Sequence, residues 1–231
     1  MEESLIARHP IRASTWELSA ALLLVVIGGY GDAASFLLVH CFSGHVTGNS
    51  VLAAIALTTG GATGELLLAV FCFLGATAFA QRLRSPTDRP LGGNGFRCVL
   101  IAEIILLFLS PYTLGGQHRA LFIVAMCLAF GLQNGVLSKA DGIGLHSTYL
   151  TGTLTHLLSL LVRAGAAGPA ATKFETRTLL FVWFAFVAGA LCGGLMISHL
   201  GPKGVWGMPL LLTVVLAMSF FVPNAGSYDT A

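Results

Sequence analysis

Hydrophobic residues gather into six long stretches, separated by short polar or glycine-rich segments. The stretches are residues 18–39, 66–83, 97–112, 120–137, 179–199 and 205–222. A helix of about 20 mostly apolar residues crosses the hydrocarbon core of a bilayer. The pattern therefore predicts six transmembrane helices in an all-α integral membrane protein.

Two shorter apolar segments, 50–59 and 154–162, do not fit this length. At about 1.5 Å per residue, they cover only half of a core that is roughly 30 Å thick. Each follows a Thr-Gly pair, Thr47-Gly48 in VTGNSVLAAIAL and Thr151-Gly152 in LTGTLTHLLSLL. We expect both segments to be re-entrant half-helices; eight crossing helices are the alternative.

The Thr-Gly pairs also indicate an internal repeat. Sliding the chain so that Thr47 falls on Thr151 also places Gly31 on Gly135. In each half, a long stretch interrupted by polar residues precedes a short Thr-Gly segment and two further stretches. The chain is therefore expected to form a single membrane domain, 1–231, with repeat halves at about 16–112 and 119–222.

The charge distribution favours six spans over eight, because cytoplasmic loops carry an excess of Lys and Arg. With eight crossings the twelve basic residues divide evenly between the two sides. With two re-entrant segments only Arg119 and Lys203 face the outside, and both termini are cytoplasmic. The ten cytoplasmic basic residues are then Arg8, Arg12, Arg82, Arg84, Arg89, Arg97, Lys139, Arg163, Lys173 and Arg177. Three spans per half make the halves inverted, as in many secondary transporters.

Composition supports a membrane protein and argues against several other classes. Hydrophobic residues make up 55% of the chain and charged residues 10%, against about 25% charged in soluble domains. A net charge of +2 without a basic block gives nucleic-acid binding no support. The five cysteines stand singly and the seven histidines form no ligand motif. We therefore expect no disulfide framework, metal or cofactor.

Several motifs occur in a characteristic order, namely GGYGDAASF, VTGNSV, GLQNGVLSKADG and STYLTGTLTHL. Together they resemble the YoaK-like family of bacterial inner-membrane proteins over nearly the whole chain. The resemblance implies a multi-pass protein of the bacterial inner (plasma) membrane, and it supplies neither a substrate nor residue roles. The matching positions are Gly29, Tyr30, Asp32, Ala33, Thr47, Gly48, Asn49, Gly131, Gln133, Asn134, Thr151, Gly152 and Thr153.

Asp32 is the strongest candidate for a functional residue, because a charge at mid-membrane costs roughly 2.5–3.5 kcal/mol on insertion scales. It lies with Tyr30 in the glycine-rich part of the first stretch. One interpretation is a polar site in which Asp32 carries a proton or binds a cation. The other is a structural carboxylate that caps the short segment or fixes a helix crossing.

The two Thr-Gly segments predict half-helices whose first N–H groups lack partners and carry partial positive charge. Thr47 and Asn49 in one half, and Thr151 and Thr153 in the other, would cap these starts near the bilayer centre. Their convergence would suit a polar or anionic solute. The alternative is a pair of ordinary helix starts at the membrane surface.

Three further polar residues in the apolar stretches remain open. Gln133 and Asn134 either bond across helices or face the same central site as Asp32. Glu103 lies two turns after Arg97, and an ion pair between them is favoured over a transport role.

The function that these features favour is a small-molecule transporter or channel, with a polar midplane site between two inverted halves. Its expected partners are the lipid bilayer and a small polar or anionic solute; proton coupling and a homo-oligomer are open. The alternatives are a structural or regulatory membrane protein without a substrate, and an intramembrane enzyme. The enzyme is disfavoured because no nucleophile–base set is evident.

Overall fold

The structure is a computed structural model of the chain and describes residues 15–83, 91, 93–114, 118–137, 150–163 and 170–221. These residues form eight α-helices, and a 3₁₀ helix (Gly201–Trp206) joins the last two. The α-helices are α1 (Thr15–Val39), α2 (Val46–Thr59), α3 (Thr63–Leu83), α4 (Asn94–Thr113), α5 (Arg119–Val136), α6 (Leu150–Arg163), α7 (Ala170–Leu200) and α8 (Gly207–Phe220). Five basic residues used in the topology prediction lie outside the described residues: Arg8, Arg12, Arg84, Arg89 and Lys139.

Five stretches of the described chain are long and apolar enough to cross a membrane. Four of them coincide with α1, α3, α4 and α5. The fifth, Lys173–Phe220, is 48 residues long and contains most of α7, the 3₁₀ helix and α8. Large apolar side chains such as Phe71, Leu191 and Leu210 are exposed on these helices, as contact with lipid requires. The predicted all-α membrane class is therefore confirmed.

The directions of α1, α3 and α5 follow from contacts at the end of α1, which we call the upper side of the bundle. There Arg119, the first residue of α5, donates to the carbonyl of Val39. The same guanidinium pairs with Glu65 in the first turn of α3, at 2.9 Å. Thus α3 and α5 begin on the upper side, where α1 ends, and run opposite to α1.

The directions of α4 and α8 follow from their contacts with α5 and with each other. A short connection joins α4 to α5, and Ser110 Oγ of α4 lies 3.7 Å from Met126 Sδ of α5. Therefore α4 runs upward. At its lower end Arg97 donates to the carbonyl of Ser219, near the end of α8, at 2.7 Å. The last helix therefore returns to the lower side.

The glycines of α7 give its direction relative to α1. A Cβ at Gly189 would fall on the Val26 backbone, and one at Gly193 would fall on the Tyr30 backbone. Both helices therefore run upward, side by side. The 48-residue apolar stretch consequently folds back at the 3₁₀ helix, so that α7 and α8 cross in opposite directions, as the six-span prediction requires.

The half-helix α2 returns to the side from which it comes. Residues 40–45 fold back along α1, so that Gly44 reaches Asp32, about two turns below Val39. After α2 ends at Thr59, α3 starts at Thr63 on the upper side. Because both ends of this excursion lie on the upper side, segment 40–59 is re-entrant.

The packing of the helices is repeated when the two predicted halves are exchanged. In this exchange α1, α2, α3 and α4 correspond to α5, α6, α7 and α8. The contact between α1 and α7 then corresponds to the contact between α5 and α3. In the same way, the α4–α5 contact corresponds to the α8–α1 contact, and the α2–α3 contact to the α6–α7 contact. Both main contacts are close approaches at glycine, Gly29 against the α7 backbone and Gly131 against the α3 backbone. The paired crossing helices also run in opposite directions. The duplication stays a prediction, and this exchange is the structural observation that favours it.

We expect Gly189→Ala to lower the free energy of unfolding by about 1–3 kcal/mol, as overpacking typically does. Its new methyl group would meet the carbonyl oxygen of Val26, a backbone atom that cannot rotate away. Gly194→Ala is the matched control on the same helix, because nothing lies within 4 Å of its added Cβ. Unfolding in mixed micelles measures both, and equal stability of the two variants would contradict the close α1–α7 packing.

Candidate functional site

Asp32 lies within α1, in the bundle interior, beside the segment in which the chain leaves regular helix. It is 4% exposed, and its Oδ1 accepts hydrogen bonds from the Gly44 N–H at 2.7 Å and from the Ser43 hydroxyl at 3.1 Å. Both donors belong to segment 40–45. His40 starts this segment with a positive φ of 51°, which ends α1 and turns the chain back toward Asp32.

The first half-helix, α2, is stabilised by the protein's own carboxylate. Its N-cap residue is His45, which makes no capping bond with its side chain. Thr47 and Asn49 lie inside α2, so the prediction that they cap its start is wrong. Instead Asp32 places negative charge beside the positive end of the helix dipole. Asp32 thus lies near the helix start at which the sequence predicted an anionic solute, and it binds Ser43 and Gly44 just before that start.

His45 is the second titratable group of this cluster. Its Nδ1 lies 3.7 Å from Asp32 Oδ2, and its side chain is 39% exposed whereas that of Asp32 is 6% exposed. Asp32 Oδ2 accepts no hydrogen bond from the described residues. The neighbouring Asp32 carboxylate raises the pKa of His45 above its ordinary value, although burial opposes this effect. One face of the carboxylate is therefore held by the chain, and the other points toward a half-exposed base.

Asn49 fixes the irregular segment from the other side. It is 2% exposed, accepts the Phe42 N–H at 2.8 Å and donates to the Phe42 carbonyl at 2.7 Å. The Cys41 thiol lies 3.6 Å from the same amide oxygen. Both backbone groups of Phe42 are thereby satisfied away from water. Thr47, which the sequence grouped with Asn49, is exposed on the outside of α2.

The side chains of Tyr30 and Gln133 form hydrogen bonds with other elements rather than with the Asp32 cluster. The Tyr30 hydroxyl donates to the carbonyl of Gly204 in the 3₁₀ helix. Gln133 is fully buried and its Nε2 donates to the carbonyl of Leu24 at 3.0 Å, more than two turns below Asp32. Asn134 is half-buried beside it. The bonds of Tyr30 and Gln133 match the interhelical alternative of the sequence analysis.

The second Thr-Gly segment lies at a different level of the bundle. Thr151 is exposed and Thr153 is buried in α6, which packs on α7, where His156 contacts Glu175 at 2.7 Å. Along α7, Gly189 lies about 21 Å above Glu175. Gly189 meets α1 at Val26. Asp32 lies higher still. The predicted meeting of two half-helix starts is therefore not formed among the described residues.

Glu103 is the residue that sequence reasoning placed wrongly. It is completely buried in α4, and neither carboxylate oxygen has a hydrogen-bond partner in the described part of the chain. The expected ion pair with Arg97 is absent, because Arg97 bonds Ser219 and covers the Phe220 ring. Helical spacing could have revealed this burial, since Leu100 and Leu107 lie on the same face of α4.

Five apolar stretches of spanning length among the described residues, a re-entrant half-helix and two buried carboxylates define a multi-pass, all-α membrane protein with a polar interior. The chain belongs to the family described as proteins of unknown function DUF1275, whose model matches residues 20–218. No solved structure matches it at a significant level.

Two relatives are labelled as transmembrane proteins. The chain is 26% identical to UPF0700 transmembrane protein RA0705 of Rhizobium meliloti (strain 1021) over 214 residues, which are 92% of this chain and 90% of the relative. It is 27% identical to UPF0700 transmembrane protein YoaK of Bacillus subtilis (strain 168) over 154 residues, 63% of this chain and 68% of that protein. The predicted YoaK-like resemblance is confirmed.

We expect Asn49→Ala to reduce the free energy of unfolding by about 1–3 kcal/mol, because it leaves the Phe42 N–H without its partner and the Phe42 C=O with only the weak thiol donors of Cys41 and Cys127. Ser50→Ala is the control, since its exposed hydroxyl bonds only the carbonyl of Val46 one turn earlier. Unfolding in mixed micelles, together with the rate of Cys41 alkylation, measures the effect. A stable Asn49→Ala protein with slow Cys41 alkylation would show that Asn49 does not hold the segment.

We expect Asp32→Asn to lower the pKa of His45, because it removes the neighbouring carboxylate that raises this pKa. NMR titration of the histidine rings measures the shift, and Glu175→Gln is a control that removes a distant carboxylate. In the wild type, the raised pKa means that the His45–Asp32 contact adds stability at low pH. This contribution is lost as the pH rises through the pKa of His45 in the folded state. Identical titrations in the wild type and Asp32→Asn would rule out the contact.

Proposed function

We propose that the protein is a membrane transporter or channel for a small polar solute, and that Asp32 and His45 form its protonatable site. The observation that carries this proposal is the environment of Asp32. One carboxylate oxygen is held by the re-entrant segment, while the other has no hydrogen-bond partner among the described residues and faces a half-exposed histidine. Ionisable residues inside membranes commonly mark proton or ion pathways.

The charge of the site favours a proton or small cation over an anion. The positive end of the α2 dipole, which the sequence assigned to an anionic solute, already faces Asp32. An added anion near Asp32 would meet a carboxylate of the same sign, whereas a proton or cation would neutralise it. Protonation of Asp32 would weaken the contact between them, whereas protonation of His45 would strengthen it, and this couples the protonation state of the site to the position of segment 40–45.

The distribution of basic residues supports an inner-membrane orientation with cytoplasmic termini. Among the described residues, the helix ends on the lower side carry five basic residues: Arg82, Arg97, Arg163, Lys173 and Arg177. The upper side carries Arg119 and Lys203. The positive-inside rule then places the lower side in the cytoplasm. On this orientation, the Asp32–His45 site opens toward the opposite side of the membrane.

A structural or regulatory role without a substrate is the second candidate, and the bonds of Asn49 favour it. This side chain serves only the backbone of Phe42 and the Cys41 thiol. Asp32 likewise binds two residues of the same segment. An enzyme gains no support from these contacts, and we propose none. For a homo-oligomer, the packing glycines are engaged within the chain, since Gly131, Gly189 and Gly193 meet its own helices.

A proton-flux assay with the purified protein tests the proposal without a known solute. Vesicles loaded with a pH-sensitive dye receive a valinomycin–potassium diffusion potential, and the probe is the proton. We expect the wild type to acidify the vesicles faster than protein-free vesicles do. Asp32→Asn should reduce the rate to the protein-free level, because its amide cannot bind and release a proton.

Glu175→Gln is the matched control, since it removes a carboxylate at the α6–α7 contact, far from Asp32. It should retain the wild-type rate. Gel filtration and reconstitution yield establish that each variant is folded and inserted. Equal rates for wild type and Asp32→Asn would remove Asp32 from any proton pathway and favour the structural role.

A further inference from the structure

Glu103 lies at the centre of the bundle, apart from the Asp32 site. Four helices enclose this centre, because α1 contacts α5, α5 contacts α4, α4 contacts α8 and α8 contacts α1. Glu103 is 0% exposed on α4, between the fully buried Leu100 and Leu107. Neither of its carboxylate oxygens has a hydrogen-bond partner among the described residues. An ionised carboxylate in such a position would be strongly disfavoured.

The register of α4 against α5 places Glu103 level with Gln133. Ser110 and Met126 are in contact across these antiparallel helices, at 3.7 Å. Seven residues make about two helical turns and return to the same face of a helix. Glu103 lies seven residues before Ser110 on α4, and Gln133 lies seven residues after Met126 on α5. Because the helices are antiparallel, Glu103 and Gln133 are displaced from the contact by the same distance in the same direction. Gln133 is also 0% exposed. Its Nε2 donates to the carbonyl of Leu24, while its Oε1 has no hydrogen-bond partner in the part of the chain that the structure describes.

No charged group of the packed elements faces Glu103. The elements that pack against α4 are α5, the 3₁₀ helix and α8, and α8 has no titratable group. Apart from Glu103, the titratable groups of α4, α5 and the 3₁₀ helix are Arg97, Cys98, Tyr112, Arg119, Cys127 and Lys203. Arg97 is bonded to Ser219, Arg119 to Glu65 and Val39 on the upper side, and Lys203 is exposed. Cys127 lies near the Phe42 carbonyl, at the level of the Asp32 cluster. Glu103 therefore has no cation to neutralise it within the described residues.

We propose that Glu103 and Gln133 form a buried proton-binding site. In this site Glu103 carries the proton, and its O–H donates a hydrogen bond to Gln133 Oε1. Three acceptor oxygens that have no donor among the described residues lie at this level, and acceptors cannot bond one another. One proton removes the charge of Glu103 and converts one of its oxygens into a donor. This site follows from the burial and the register of the two side chains, and it does not require that the protein transports a solute.

This site is separate from the one at Asp32. Phe130, one turn above Gln133 on α5, packs its ring against Gly31, where even a Cβ would collide with it. The ring thus lies between the level of Glu103 and that of Asp32. The two carboxylates have different surroundings, because Asp32 has two donors and a histidine, whereas Glu103 has an amide oxygen and apolar side chains.

Infrared spectroscopy of the purified protein in lipid tests this proposal, because a protonated carboxyl group has a C=O stretch distinct from that of a carboxylate. We expect a protonated-acid band at neutral pH that shifts when the protein is labelled with ¹³C-glutamate. The band should vanish in Glu103→Gln and persist in Asp32→Asn and Glu175→Gln. Since labelling uses the wild type, the test remains valid even if Glu103→Gln does not fold.

The absence of a protonated-acid band at neutral pH would overturn the proposal, as would a band that neither glutamate labelling nor Glu103→Gln changes. Thermal unfolding gives an independent readout. Gln is neutral and nearly isosteric with protonated Glu, so Glu103→Gln should keep the wild-type Tm at neutral pH. A large loss of Tm would indicate an ionised, paired Glu103 instead. The proton-flux assay can fail without affecting either result.

Discussion

Irregular backbone inside a bilayer must find its hydrogen bonds within the protein, because lipid offers none. Segment 40–45 is such a backbone, and two buried side chains satisfy it. Asp32 accepts from Gly44, while Asn49 pairs with both backbone groups of Phe42. Without these bonds the chain could not reverse inside the bundle. The half-helix, the upper-side start of α3 and the Asp32–His45 pair all depend on this arrangement.

Close backbone approach is the second constraint on the fold. Within a membrane, helices associate through packing and polar contacts rather than through the hydrophobic effect, so small residues at contacts are valuable. Here Gly29 and Gly189 bring α1 and α7 together, and Gly131 with Ala76 does the same for α3 and α5. The same device at equivalent places in both predicted halves gives the bundle its exchange symmetry. Deviations from that symmetry, such as Asp32 in one half only, are where specialised chemistry is expected.

The two buried carboxylates, Asp32 and Glu103, are the same chemical group in two different environments. Asp32 is compatible with charge, since backbone and hydroxyl donors and a helix dipole stabilise it. Glu103 has none of these and is surrounded by apolar side chains and an amide. Two carboxylates with such different surroundings lie at different depths of the interior, with the Phe130 ring between them. Asp32 lies on α1 and Glu103 lies on α4, and both helices belong to the four that enclose the centre of the bundle.

The sequence by itself determined the class of protein, because apolar stretches of spanning length have few alternatives in water or lipid. It also determined the two short helices and the re-entry of the first, through length and charge. Only the tertiary structure decided which polar groups meet. Asn49 proved to be inside α2, and Glu103 proved to be central rather than paired with Arg97. The second Thr-Gly pair lies far from Asp32. Such pairings depend on helix register and on the depth at which a chain turns back, and neither is encoded in hydrophobic periodicity, which reports only which face is apolar.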